Sequence, residues 1–174
     1  LAARDEDAYG LLREMFGGGL VEKTYLALAK GRIGHFRRVE VPLGSRYRRS
    51  RKVFPARSGR RLRGVRPAVT EVVPLAQGTD CTLCRVVIRT GVRHQIRAHL
   101  SLIGHPIWGD VLYGGPREQN LPEGAFMLHA FSIALDLPWA GPFEQRCQPP
   151  GCFVDVLRGL GVTLEQDFYK QMKE

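Results

Sequence analysis

The chain has 174 residues, 44% of them apolar, enough to bury one hydrophobic core and of a length that usually folds as a single domain. No run approaches the roughly 18 consecutive apolar residues of a membrane span, and no basic-then-apolar leader is visible, so a cytoplasmic protein with no membrane partner is expected. A net charge of +9 and a pI near 9.9 point to a polyanionic partner, provided the basic residues form one surface.

Asp5 is the expected cap of a first helix. Glu6 and Asp7 follow in its first turn, Ala8, Leu11, Leu12, Met15 and Phe16 fall on one apolar face, and Gly17, Gly18 and Gly19 end it. Residues 25–29 and 35–41 read as an antiparallel pair of strands joined through 30–34. Next comes segment 45–66, in which Arg46, Arg48, Arg49, Arg51, Lys52, Arg57, Arg60, Arg61, Arg63 and Arg66 stand without a single acid. Removing these ten from the 26 basic residues leaves 16 against 17 acidic ones, so this segment carries the whole excess of charge. With serines, glycines and Pro55 among the arginines, it reads as a mobile basic loop that closes on phosphates; the alternative is a loop solvated for solubility.

Residues 68–74 and 81–88 are two further strand-like runs, separated by turn residues at 77–80. From Val92 the spacing becomes helical through Ile96, Leu100 and Ile103, with Arg93 and Arg97 one turn apart on a second line, until Gly104 and Pro106 stop it. Gly109, Gly114, Gly115 and Pro116 mark a long loop, 128–137 a strand, and 153–160 and 164–172 two closing helices. Hairpins with helices added outside predict a single α+β domain over 1–174, built on an antiparallel or mixed sheet with flanking helices.

Two metal readings suggest themselves. Cys81 and Cys84 have the spacing of a zinc knuckle, with Cys147 and Cys152 as a possible second pair, but on a strand positions three apart face opposite ways and cannot share an ion. Free thiols are expected instead. His94, His99 and His105, five and six residues apart, do not fall on one helical face, so packing or capping roles are expected for them, and Asp110, between glycines, suits a structural turn. No metal is expected.

There is no phosphate-binding glycine loop, nucleophile elbow or dinucleotide fingerprint, which removes support for hydrolase and nucleotide-enzyme readings. What stands out is Thr90-Gly91-Val92-Arg93-His94-Gln95-Ile96-Arg97, followed by Gly104-His105-Pro106-Ile107, Gly109-Asp110 and Leu112-Tyr113-Gly114. This run resembles the third motif of the RluA-type RNA pseudouridine synthases. Lys23-Thr24-Tyr25 resembles the family's second motif, and Leu128-His129-Ala130 its late leucine motif.

The resemblance implies the pseudouridine synthase catalytic-domain fold and the cofactor-free isomerisation of a uridine in ribosomal or transfer RNA, by a monomer. It also implies that Tyr25 lies against the target uracil and assists proton removal from carbon 5, that Arg97 pairs with the catalytic aspartate, and that Leu128 walls the pocket. Lys23 and the loop residues Arg48, Arg49, Arg51 and Lys52 would bind substrate. Taken alone, Tyr25 also suits a half-buried core position, and Arg97 the surface of an amphipathic helix. Val92 and Arg93 depart from the family's usual arginine and threonine. The family's nucleophilic aspartate belongs to a His-Arg-Leu-Asp block that this sequence does not contain. Leu1 and Ala2 resemble the end of the run that follows that block, so the nucleophile is expected before Leu1 and this polypeptide is expected to be inactive alone. The competing expectation is a non-catalytic RNA-binding protein that uses the arginine-rich segment.

Overall fold

A computed structural model describes residues 2–56 and 61–163; the helix expected at 164–172 lies outside the described residues, as do Arg57 and Arg60 of the basic segment. Helix α1 (Glu6–Gly17) begins as the sequence requires, with the Asp5 carboxylate accepting from the Ala8 amide at 2.8 Å and two acids in the first turn.

The main sheet has six antiparallel strands in the order β2 (Arg37–Glu40), β6 (Val69–Gly78), β7 (Cys81–Ile88), β1 (Glu22–Lys30), β8 (Leu128–Leu137) and β9 (Gly141–Arg146). The expected pairing of the first two strands does not occur. β1 pairs with β7 and β8, while β2 lies at the far edge against β6. The reason lies in burial: Leu26, Ala27, Leu28 and Ala29 are covered on both faces and need strands on either side, whereas β2 exposes Arg37, Arg38 and Glu40, a composition suited to an edge.

Helices cover both faces of the sheet. Tyr25 pairs with Val86, Val86 with Val72, and Thr70 follows Val72 on the same face, where it bonds to Gln95 and His99 of helix α2 (Gln95–Leu102). Leu26 pairs with His129, whose ring lies 6.1 Å from that of Phe153 on helix α3 (Gly151–Gly159), so α3 covers the opposite face. The Cys81 and Cys84 thiols lie on these two opposite faces of β7, both buried, and burial pushes Cys84 up to about 12.

Two further corrections concern the basic segment and α2. Much of the segment expected as a loop is structured: β3 (Leu43–Ser45) is flanked by β4 (Phe54–Pro55) and β5 (Arg63–Arg66) in a small second sheet, because Leu43 and Val53 bury themselves against Ala68, Ala98 and Tyr113. The helix starts at Gln95 rather than Val92, so Arg93 and Arg97 do not share a helical face. His94 takes a left-handed conformation (φ 55°), and the Gln95 side chain accepts from the Thr90 hydroxyl (2.9 Å) and the Val92 amide (3.2 Å), holding 90–94 in a turn.

Candidate active site

Gln95 is the clamp that places α2. It is buried, and its Nε2 donates to the Val69 carbonyl (2.8 Å) and Thr70 Oγ1 (3.1 Å), tying the motif to β6. His99, one turn on, is also fully buried: its Nε2 lies 2.9 Å from the Val41 carbonyl and must donate to it, which leaves Nδ1 to accept from Thr70 at 2.8 Å. His99 is therefore neutral, and burial lowers its pKa.

Between these two residues stands Arg97. Its Nε and Nη2 each donate at 2.7 Å to one oxygen of Asp110, a two-pronged ion pair in which Asp110 is 1% and the Arg97 side chain 13% exposed. The guanidinium carbon lies 4.3 Å from the Phe126 ring centre and 4.9 Å from that of Tyr113, so two aromatic rings fix its orientation. Asp110 precedes a 3₁₀ turn (Val111–Tyr113), whose Tyr113 amide it also caps at 3.3 Å. Glycines make this loop possible. Gly109 has φ +85°, and a Cβ there would meet the Phe126 backbone at 2.9 Å; a Cβ on Gly115 would lie 1.9 Å from the Ile107 carbonyl oxygen.

Tyr25 and Lys23 lie on the sheet face that α2 covers, and Leu128 joins them there opposite Ala27. Tyr25 and Leu128 are both half-buried against the main core, and burial pushes the Tyr25 phenol up, so it is protonated at neutral pH. Lys23 reaches the Arg89 and Thr90 carbonyls at 3.3 and 3.4 Å, lies 5.4 Å from the Phe16 ring centre, and has its pKa lowered by burial. It lines a hollow of about 400 Å³ with Phe16, Arg66 and Gly91. A separate groove of about 580 Å³ runs past Arg97, lined also by Arg51, Asp110, Arg117, Glu118 and Phe126. The structure thus brings Arg51 of the basic segment to the Arg97 groove, while Lys23 belongs to a neighbouring hollow. Arg48 and Arg49 are exposed on a turn nearby, and the Lys52 ammonium sits 5.4 Å from the Tyr113 ring centre.

Asp110, Tyr113 and Phe126 are the site residues that sequence reasoning missed. For the first two the signal was present, since Gly109-Asp110 and Leu112-Tyr113-Gly114 continue the same motif; Phe126 belongs to no motif. Among the described residues no group of three His, Cys, Asp or Glu side chains is placed to hold a metal ion.

A basic groove beside a clamped arginine, on a six-stranded antiparallel sheet with helices on both faces, defines an RNA-modifying class of protein. Residues 1–102 match the family described as RNA pseudouridylate synthase. An uncharacterized RNA pseudouridine synthase of Helicobacter pylori is 39% identical over 123 residues, covering 71% of this chain and 47% of its own length. One from Chloroflexus aurantiacus is 33% identical over 159 residues, covering 91% and 48%. Human RNA Pseudouridylate Synthase Domain Containing 4 superposes with a TM-score of 0.71 at 25% identity, covering 93% of this chain and 70% of that one. The chain belongs to the RNA pseudouridylate synthase family. It spans about half the length of the curated relatives it matches.

Proposed function

We propose that this chain supplies the base pocket and RNA-gripping surface of an enzyme that isomerises uridine to pseudouridine within ribosomal or transfer RNA, as a cytoplasmic monomer needing no cofactor or metal. In that reaction the bond from uracil N1 to ribose C1′ breaks, the base turns, a bond from C5 to C1′ forms, and the C5 proton is lost while N1 gains one. The observation that carries the reading is the clamp on Arg97. Asp110 takes its Nε and Nη2 edge, leaving Nη1 to meet the nucleophilic carboxylate and hold it ionised at the wall of a basic groove.

Tyr25, a protonated phenol in a partly apolar setting, lies against the flipped uracil, and Leu128 walls the pocket beside it. Its raised pKa favours a role in stacking and proton relay over that of a resident base. Lys23, Arg48, Arg49, Arg51 and Lys52 contact the RNA backbone, which positions the strand without reading its sequence. No aspartate in this sequence stands in the context of the family's nucleophile, and Asp110 is committed to Arg97. The nucleophile in this reading comes from a His-Arg-Leu-Asp block outside the sequence given. The test is tritium release from RNA labelled at uridine C5: a polypeptide carrying that block ahead of these residues turns over, and these 174 residues alone do not. Turnover by the 174 residues alone would refute the assignment of the nucleophile.

A further inference from the structure

The basic segment touches the rest of the chain through few polar ties, and they converge on one side chain. The Val53 amide donates to the Tyr113 hydroxyl at 2.9 Å, which leaves the hydroxyl's own proton for His94 Nδ1 at 3.2 Å. The ring below that hydroxyl packs against both the Arg97 guanidinium and the Lys52 ammonium, at 4.9 and 5.4 Å. The Tyr113 carbonyl in turn accepts from Ser101 of α2 at 2.7 Å, so the residue is fixed from the helix side as well. A second tie is Arg93 Nη2, which donates to the Ser50 carbonyl at 2.5 Å. Val53 and Ser50 are buried, yet they bracket Arg51 and adjoin Arg48 and Arg49, which project into solvent.

We propose that Tyr113 is a positioning residue that latches the basic segment onto the Arg97 groove, so that an RNA backbone held by Arg48, Arg49 and Arg51 is set in register with the base pocket. The inference rests on the RNA-modifying reading above and adds to it a physical link between grip and pocket. One phenol serves both ends: its ring orients the pocket arginine, and its hydroxyl holds the segment that carries the phosphate-binding cations. An amphipathic side chain with a rigid apolar body and one polar tip suits this use.

The two halves of Tyr113 can be separated. Tyr113→Phe keeps the ring over Arg97 and removes the hydroxyl. It should raise amide hydrogen exchange at Val53 by roughly 3- to 10-fold, the worth of one hydrogen bond, while Ala98 and His99 in α2 stay protected. Affinity for a single-stranded uridine-containing RNA should fall by a similar factor, and unlatched arginines should still give the same salt dependence. Arg93→Met, which breaks the second tie and leaves the core alone, should raise exchange at residues 50–53 in the same way, and it serves if Tyr113→Phe does not fold. Unchanged Val53 exchange, or equal loss of protection in α2, would overturn the latch. Faster Val53 exchange with RNA affinity unchanged would overturn the coupling. An unmodified chain that binds no RNA would instead defeat the functional reading, and the exchange measurement would still decide the latch.

Discussion

Arg97 and Asp110 show how one ion pair can be both structural and chemical. With Asp110 at 1% exposure, removing its charge leaves a guanidinium with a buried, unpaired edge, whereas the pair as built is neutral and doubly hydrogen-bonded. Asp110→Asn should therefore cost about 3 kcal/mol of stability, read by urea unfolding, while a substitution at exposed Arg48 should change little. Sequence reasoning placed Arg97 correctly in its motif but assigned Asp110 to a turn. The carboxylate does both, capping the Tyr113 amide and meeting Arg97, and nothing in local spacing reveals that a loop 13 residues away folds back under the helix.

His99 adds a pH effect at the same scale. Its folded pKa is depressed by burial below the ordinary value of about 6.5, so the unfolded chain takes up the proton first as pH falls. Its contribution to stability is present above that unfolded value and is lost as pH drops through the folded one. The thermal midpoint should decline between about pH 7 and 5, and His99→Gln should flatten that decline. An equal slope in the variant would assign the effect to other groups.

At the scale of elements, what was legible tracks how much each segment depends on distant partners. Residues 81–88 and 128–137 were read with their observed bounds, because alternating β-branched and aromatic residues report a strand directly. β9, with the sequence GPFEQR, was missed: it lacks that signature and becomes a strand by pairing with β8. β1 and β2 were joined because neighbours in sequence commonly pair, and the insertion of the β6–β7 hairpin between them leaves no local trace. The arginine-rich segment was legible as charge but not as structure, since its sheet depends on two apolar residues, Leu43 and Val53, that meet Ala98 and Tyr113 from far along the chain. Its function is testable as an element. Replacing Arg48, Arg49, Arg51 and Lys52 by alanine should weaken RNA binding and reduce the slope of log affinity against log salt by about 3, at just under one unit per lost phosphate contact. Unchanged affinity at every salt concentration would show that the segment is only solvated.

For the whole molecule, the sheet serves as a platform with two working ends. Its α2 face presents Tyr25 and Leu128, α2 brings Arg97 over that face, and the second sheet holds a cationic edge beside the same groove. The opposite face, closed by α3, is core. Charge and chemistry are thus placed side by side, although more than forty residues of sequence separate Arg51 from Arg97. The central claim is that Arg97 works in the isomerisation through a carboxylate it holds ionised. Tritium release from C5-labelled RNA, by a protein carrying both these residues and the His-Arg-Leu-Asp block, tests it most directly. Arg97→Lys should lower the rate by on the order of 100-fold or more, because an ammonium cannot reproduce a two-edged guanidinium, with RNA affinity changed by no more than about 3-fold. A rate that survives the substitution would contradict the account.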